Sequence, residues 1–243
     1  MATMTSLAPS VLGRRVVEDP RDLWYLLADR VPGLPDSRPT SGPPRIYRGP
    51  VYDQGDRPRA VAAALLAALH ASPAQIGPSR CPSLELLDTL TRDVEGAIGP
   101  SVTLRSGCKA LRRLGMIDGY CWSYDATEIA RYLETGRGLV LGLDWYEQMH
   151  RPDETGLIRS WGRPCGGNAV FAFGYERRTD TVRIQNSRGP AWGGWSTRQG
   201  RRDFQGCARL PRSDLAKLLA DNGEAVALSK VPAWDGRRGR SCD

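Results

Sequence analysis

The chain has 243 residues, 40% of them hydrophobic and 25% charged, with a formal net charge of +7. That length allows one large domain or two small ones around a buried core, and the composition excludes a disordered or fibrous protein. No apolar run approaches the roughly 18 residues that span a bilayer, and Met1–Pro9 lacks the basic stretch and apolar run of a secretory signal, so a soluble protein is expected.

The positive charge is almost wholly arginine; Lys109, Lys217 and Lys230 are the lysines. Such a bias is what a GC-rich genome produces, and the arginines are scattered, so the charge alone does not specify a nucleic-acid interface. A basic surface still draws acidic partners at long range. The densest cluster, Arg237, Arg238 and Arg240, lies in a Gly-rich tail and reads as a solvated end. The six cysteines, at 81, 108, 121, 165, 207 and 242, form no C-x-x-C pair. With only His70 and His150 beside them they give no zinc pattern, and no metal or cofactor is expected. Six cysteines allow fifteen disulfide pairings, and without a secretory signal free buried thiols are the preferred reading.

Residues 1–43 read as an N-terminal arm. Asp19 as N-cap and Pro20 at the first helical position predict a short helix through Leu23, Trp24, Leu26 and Leu27, followed by extended linker from Pro32 to Pro44. The Ala- and Leu-rich stretch 58–71 predicts a buried helix, with Pro58 tolerable only in its first turn. Leu84, Leu87, Val94 and Ile98 predict a second helix, interrupted near Gly96. Leu104, Cys108, Leu111 and Leu114 predict a third, with Ser101 as cap and Gly115 as stop. After about residue 136 the period becomes that of strands: Leu139–Leu143, Ala169–Tyr175 and Thr181–Gln185, the last two joined as a hairpin by Arg177–Asp180. A helix over Ser213–Asn222 and a strand over Glu224–Leu228 close the domain. Helices first and antiparallel strands second predict an α+β fold of two lobes, a helical lobe over about 44–135 and a β lobe over about 136–230, with 231–243 as a basic tail.

Three short stretches, in order, resemble those of papain-like cysteine peptidases. Gln54-Gly55 stands ahead of the buried helix, where that family has a glutamine of the oxyanion hole six residues before its nucleophile. Gly166-Gly167-Asn168-Ala169-Val170, with Gly174-Tyr175 beyond, is similar to the segment carrying the catalytic histidine. Asn186-Ser187-Arg188-Gly189, with Trp192-Gly193 following, is similar to the segment carrying the orienting asparagine. The resemblance spans roughly residues 45–228 and implies a papain-like fold. The spacing from Ala60 to Asn168 is shorter than in plant and lysosomal members, which points to a compact, bacterial-style relative.

Carried onto these motifs, the catalytic slots are degenerate. Ala60 stands in the nucleophile slot, and a methyl group cannot attack a carbonyl. Asn168 stands in the base slot, and a carboxamide does not titrate near neutral pH. Gln54 and Asn186 match the oxyanion and orienting residues but have no oxyanion or histidine to serve. Arg188 replaces the shielding tryptophan, and Arg57, Pro58 and Arg59 replace the Cys-Gly-Ser run before the nucleophile. No cysteine precedes residue 81 and no histidine follows residue 150, so no small shift of alignment restores either group. A non-catalytic papain-like protein is therefore expected, not a peptidase.

For the remaining candidates the structural reading outweighs the functional one. His70 and His150 read as structural or surface residues, and Cys165 as an unactivated thiol, although a hydrolase with Cys165 as a relocated nucleophile is the alternative. Asp53 and Asp56 are expected to cap the central helix or pair with Arg57 and Arg59. Gln54, Asn168 and Asn186 are expected to bond one another and hold the lobes together. A groove between the lobes, lined by Arg57, Arg59, Arg188 and Trp192, would suit an acidic segment, so the expected partner is a protein or another copy of the chain, with neither membrane nor nucleic acid. The arm reads either as a pro-segment covering the cleft or as a reach to a neighbouring subunit. The Arg-, Trp- and Gly-rich composition suits an actinobacterium or its phages, and a cytoplasmic or virion-associated structural role follows by analogy alone.

Overall fold

The computed structural model describes residues 12–30, 49–96, 99–196 and 202–230. The linker 32–44, Ile98, Cys242 and the arginines of the basic tail lie outside these. The helix predicted after Asp19 is a 3₁₀ helix over Pro20–Tyr25, Asp19 accepting from the Arg21 N–H, with a single turn of α1 over Leu27–Arg30 behind it. Three helices follow. α2, Ala60–His70, is apolar on every side and wholly buried, as a central helix must be. α3, Leu84–Glu95, starts on the Ser83 hydroxyl and ends at left-handed Gly96. α4, Leu104–Arg113, is capped by Thr103, whose hydroxyl accepts from Ser106 N at 3.2 Å; the cap is Thr103 and not the expected Ser101. Thr103→Ala is expected to cost about 1 kcal/mol of stability, read in urea denaturation.

β1 (Gly119–Ser123) and α5 (Ala126–Glu134), neither anticipated from the periodicity, come before the strands that were: β2 (Leu139–Tyr146), β3 (Pro164–Glu176) and β4 (Thr181–Gln185). A two-residue pair, β5 (Trp195–Ser196) and β6 (Arg202–Asp203), then β7 (Cys207–Pro211), α6 (Arg212–Asp221) and β8 (Glu224–Ser229) complete the order. The main sheet runs β1-β8-β2-β3-β4-β7, antiparallel throughout.

Strand periodicity divides this sheet between two cores. Ala169, Phe171 and Phe173 of β3 face α2 with Val140, Val226 and Trp122. Val170 and Ala172 face the other way, with Leu141, Leu143, Ile129 of α5 and Leu215 of α6. The sheet is thus clasped between α2–α4 and α5–α6, and the loop that leaves β4 meets the segment before α2, Gln54 N donating to Ser187 O and Gly189 N to Tyr52 O. Among the described residues no helix is long and apolar enough to cross a membrane, and Cys81, Cys108, Cys121 and Cys165 are free thiols.

Candidate functional site

The pairing of β3 with β4, Phe171 opposite Gln185, sets Asn168 near Asn186 at the end of the sheet that meets α2. The two carboxamides face each other, Asn168 Nδ2 donating to Asn186 Oδ1 at 3.4 Å, and that same oxygen accepts from Ser187 N at 2.8 Å. Both are buried. Gln54 is buried beside them. Its backbone N–H donates to Ser187 O at 2.8 Å, its Oε1 accepts from the Ser187 hydroxyl at 2.5 Å, and its Nε2 donates to Arg57 O at 2.8 Å. These bonds stitch the loop before α2 to the loop after β4. Ala60, the first residue of α2, has no exposed surface. Gln54, Asn168 and Asn186 thus form a buried seam of amides between the loops before α2 and after β4, and neither they nor the buried Ala60 methyl can exchange a proton near neutral pH.

Part of the N-terminal arm, for which covering the cleft was one of the two expectations, lies beside this seam. The extended segment Leu12–Arg15 is bonded on both sides: Arg14 N donates to Gly167 O, Arg15 N to Val102 O, and Val102 N to Gly13 O, each at 3.0 Å. It runs between the residue before Asn168 and the residues before α4. Glycine makes that approach feasible from both directions. A Cβ on Gly167 would stand 2.4 Å from Arg14 O, and one on Gly13, at φ +89°, would stand 2.3 Å from Pro58 O. Arg14 pins the segment. Its fully buried guanidinium donates to Asn222 O at 2.6 Å and to Glu224 Oε1 at 3.2 Å, and sits 3.6 Å from Asp144. Burial raises the Glu224 carboxyl above its ordinary range, with Arg14 pulling against that rise. Arg15 reaches Glu95, which also accepts from the Thr103 N–H and hydroxyl; burial alone would raise Glu95, but its hydrogen bonds hold it below the usual carboxylate range. Nothing local marks Arg14 out in the sequence, since the partners of its side chain lie 130 to 210 residues downstream.

The arginines assigned to a groove have different surroundings. Arg57 is exposed. Arg59 turns onto α3, 2.7 Å from Glu85 and 3.7 Å from Asp88, so it pairs with neither Asp53 nor Asp56. Nor does an aspartate cap α2, whose N-cap is Arg59 without a side-chain bond; Asp53 instead accepts from Gly55 N within its own turn. Arg188 is half-buried, its guanidinium pKa pulled down by burial and pushed back up by Asp53. Trp192 donates its indole N–H to the His150 carbonyl at 2.9 Å. The His150 imidazole lies edge-on to Trp145, and burial together with Arg188 lowers its pKa, favouring the neutral ring.

The other candidate chemistry is equally committed. His70 Nδ1 lies 2.7 Å from Ile76 O and must carry its proton there, which leaves Nε2 to accept from the Tyr52 hydroxyl at 2.8 Å. Cys81, 3.9 Å from that Nδ1, therefore meets an N–H and not a lone pair, and burial raises its thiol pKa. The Cys165 pKa is likewise raised, by burial first and then by Glu147, and its thiol lies 3.5 Å from Arg163 O; no imidazole is among the groups that perturb it. Among the described residues no three His, Cys, Asp or Glu side chains stand together to hold a metal ion.

No protein-family model matches the sequence, and no curated protein matches it. Solved structures do. Xylellain, a cysteine protease from Xylella fastidiosa, is 18% identical and superposes with a TM-score of 0.65 over 95% of this chain and 100% of its own. The bromelain protease of Ananas comosus, in complex with the E64 inhibitor, is 13% identical, with a TM-score of 0.56 over 76% of this chain and 94% of its own. A proCathepsin B from Trypanosoma congolense is 10% identical, with a TM-score of 0.58 over 91% and 86%. At these identities the likeness is one of fold, and the fold is papain-like.

Proposed function

We propose that this papain-like fold works without peptidase chemistry, as a protein-binding or structural assembly module. The observation that carries the reading is the Leu12–Arg15 segment, bonded to the backbone beside Asn168 on one side and to Val102 on the other. The segment occupies the Gly167 carbonyl, next to the slot residue Asn168, and is held there by a buried guanidinium. The residues around it support the same reading: Ala60 offers no nucleophile, Asn168 no base, and the Gln54 amide is spent on Arg57 and Ser187. The hydrolase alternative rests on Cys165, whose raised pKa keeps it a thiol at neutral pH, without an imidazole to activate it.

The decisive experiment offers the full chain denatured casein, broad fluorogenic peptides and an epoxide probe for activated thiols, alongside Gly167→Leu. In that variant the new side chain collides with the Arg14 carbonyl, a backbone atom that no rotamer change can move aside. The segment should then leave its seat, and tryptic cleavage after Arg14 or Arg15 should quicken about tenfold or more, corresponding to about 1.4 kcal/mol of lost seating. Neither protein should hydrolyse a substrate or take the probe. Hydrolysis or labelling that Cys165→Ser abolishes would establish the enzyme instead.

A further inference from the structure

Away from the Gln54–Asn168 seam, a recess of about 720 Å³ opens where the Pro20–Arg30 segment lies over β1 and α4. None of the degenerate slot residues lines it. Seven lysines and arginines line it against three aspartates. Asp19 and Asp22 are already engaged by Arg21 and Arg105. Arg30, Lys109, Arg112 and Arg137 have no ion-pair partner among the described residues, and they come from three directions. Arg30 ends α1, Lys109 and Arg112 lie one turn apart on the exposed face of α4, and Arg137 precedes β2.

Four cations without an ion-pair partner among the described residues converge on one concavity, and such a surplus of positive charge favours a ligand with several negative charges. Its rim adds a second chemistry. Trp24 and Tyr25, 68% and 48% exposed, stand side by side on the 3₁₀ helix, and Arg30 lies over the Tyr25 ring at 5.2 Å. Large aromatic rings left in water beside surplus positive charge offer a stacking face for a planar group. The volume is that of a small-molecule site, and the cations ring a bounded space and do not follow a track as they would for a polymer strand.

We propose that this recess binds a ligand joining a polyphosphate to a planar ring, of the nucleoside di- or triphosphate class, with Lys109, Arg112 and Arg137 on the phosphates and Trp24 or Tyr25 against the ring. The site is independent of the chemistry argued for the cleft.

Calorimetric titration of the full chain with ATP, tripolyphosphate, adenosine and a short oligothymidylate tests it. ATP should bind about tenfold or more tightly than either tripolyphosphate or adenosine, because the site reads both halves. Lys109→Glu with Arg112→Glu should weaken ATP about tenfold or more, and Trp24→Ala should weaken it about threefold or more. Arg80→Glu with Arg113→Glu, exposed positions outside the recess carrying the same change of net charge, should leave ATP affinity within about twofold. The proposal fails if ATP gives no heat at about 1 mM, or if both pairs of reversals weaken it equally, which would be a general charge effect. It fails equally if tripolyphosphate matches ATP, leaving an anion site only, or if the oligothymidylate binds more tightly than ATP, which would make the surface a nucleic-acid one.

Discussion

Arg14→Ala is expected to destabilise the protein by about 3–5 kcal/mol near neutral pH, the cost of removing one partner from a buried ion pair. The guanidinium is fully buried, holds Glu224 and the Asn222 carbonyl, and fixes the segment beside the seam. The loss should depend on pH in a defined direction. Burial already raises the folded-state pKa of Glu224, so folding takes up a proton there, and the stability this gives is present below the unfolded pKa and fades as pH rises through the folded one. Arg14 is the largest influence opposing that rise, so without it the folded pKa climbs further and the pH window widens upward. Urea denaturation at pH 4.5, 6 and 8 should therefore show the deficit of Arg14→Ala growing with pH. Adding Glu224→Gln, which removes the stranded charge, should recover part of the loss at pH 8 and little at pH 4.5. A deficit below about 1 kcal/mol at pH 8 would instead mark the pair as weakly coupled to the fold.

Trp122→Ala should cost about 3–5 kcal/mol, through lost burial and the cavity left behind. The indole is 1% exposed, in the core that α2–α4 share with the sheet, edge-on to Tyr120 at 5.9 Å and with Arg105 5.9 Å above it. Its backbone pairs with Val226 and bridges Leu26 of the N-terminal segment, and those backbone contacts remain in the variant, so the loss is one of side-chain packing. Trp122→Phe, which keeps most of the apolar volume, should cost clearly less in the same denaturation experiment.

How much of this could be read from the sequence follows from the range of each signal. The buried α2, the amphipathic α3 and α4, the β3–β4 hairpin and the closing α6–β8 unit announce themselves within a window of a few residues, and the structure has them with ends shifted by one or two positions, except that β3 begins at Pro164, five residues before Ala169, and α3 ends at Glu95, three short of Ile98. β1 is only Gly119-Tyr-Cys-Trp-Ser, too short to show an alternation, and α5 follows it after two residues. The turn after Asp19 kept its cap but tightened to a 3₁₀ helix, since Leu26 already extends to bridge Trp122. At the seam, the positions of Gln54, Ala60, Asn168 and Asn186 could be counted from the motifs. Asn168 and Asn186 bond each other as anticipated, whereas Gln54 bonds to Ser187 and Arg57, partners that were not anticipated. The role of Arg14 was invisible because one arginine among many acquires meaning only from a carboxylate near the other end of the chain. The assignment of Asp53 and Asp56 to the helix cap erred for the opposite reason, because a local rule was applied where Glu85 and Asp88 of α3 compete for Arg59.

The place of β8 in the sheet has a consequence for biosynthesis. It is the last strand of the domain to leave the ribosome, yet it lies between β1 and β2, the first two strands made. Until Glu224–Ser229 emerges, β1 has no partner in the main sheet and one edge of β2 stands open. The sheet therefore cannot close until β8 is made, and the nascent chain must carry two unpaired strand edges until then. Arg14, made near the beginning, waits for the same strand, because Glu224 is its first residue. A chain stopped short of β8 would lose the bond between its beginning and its end together with the middle of its sheet.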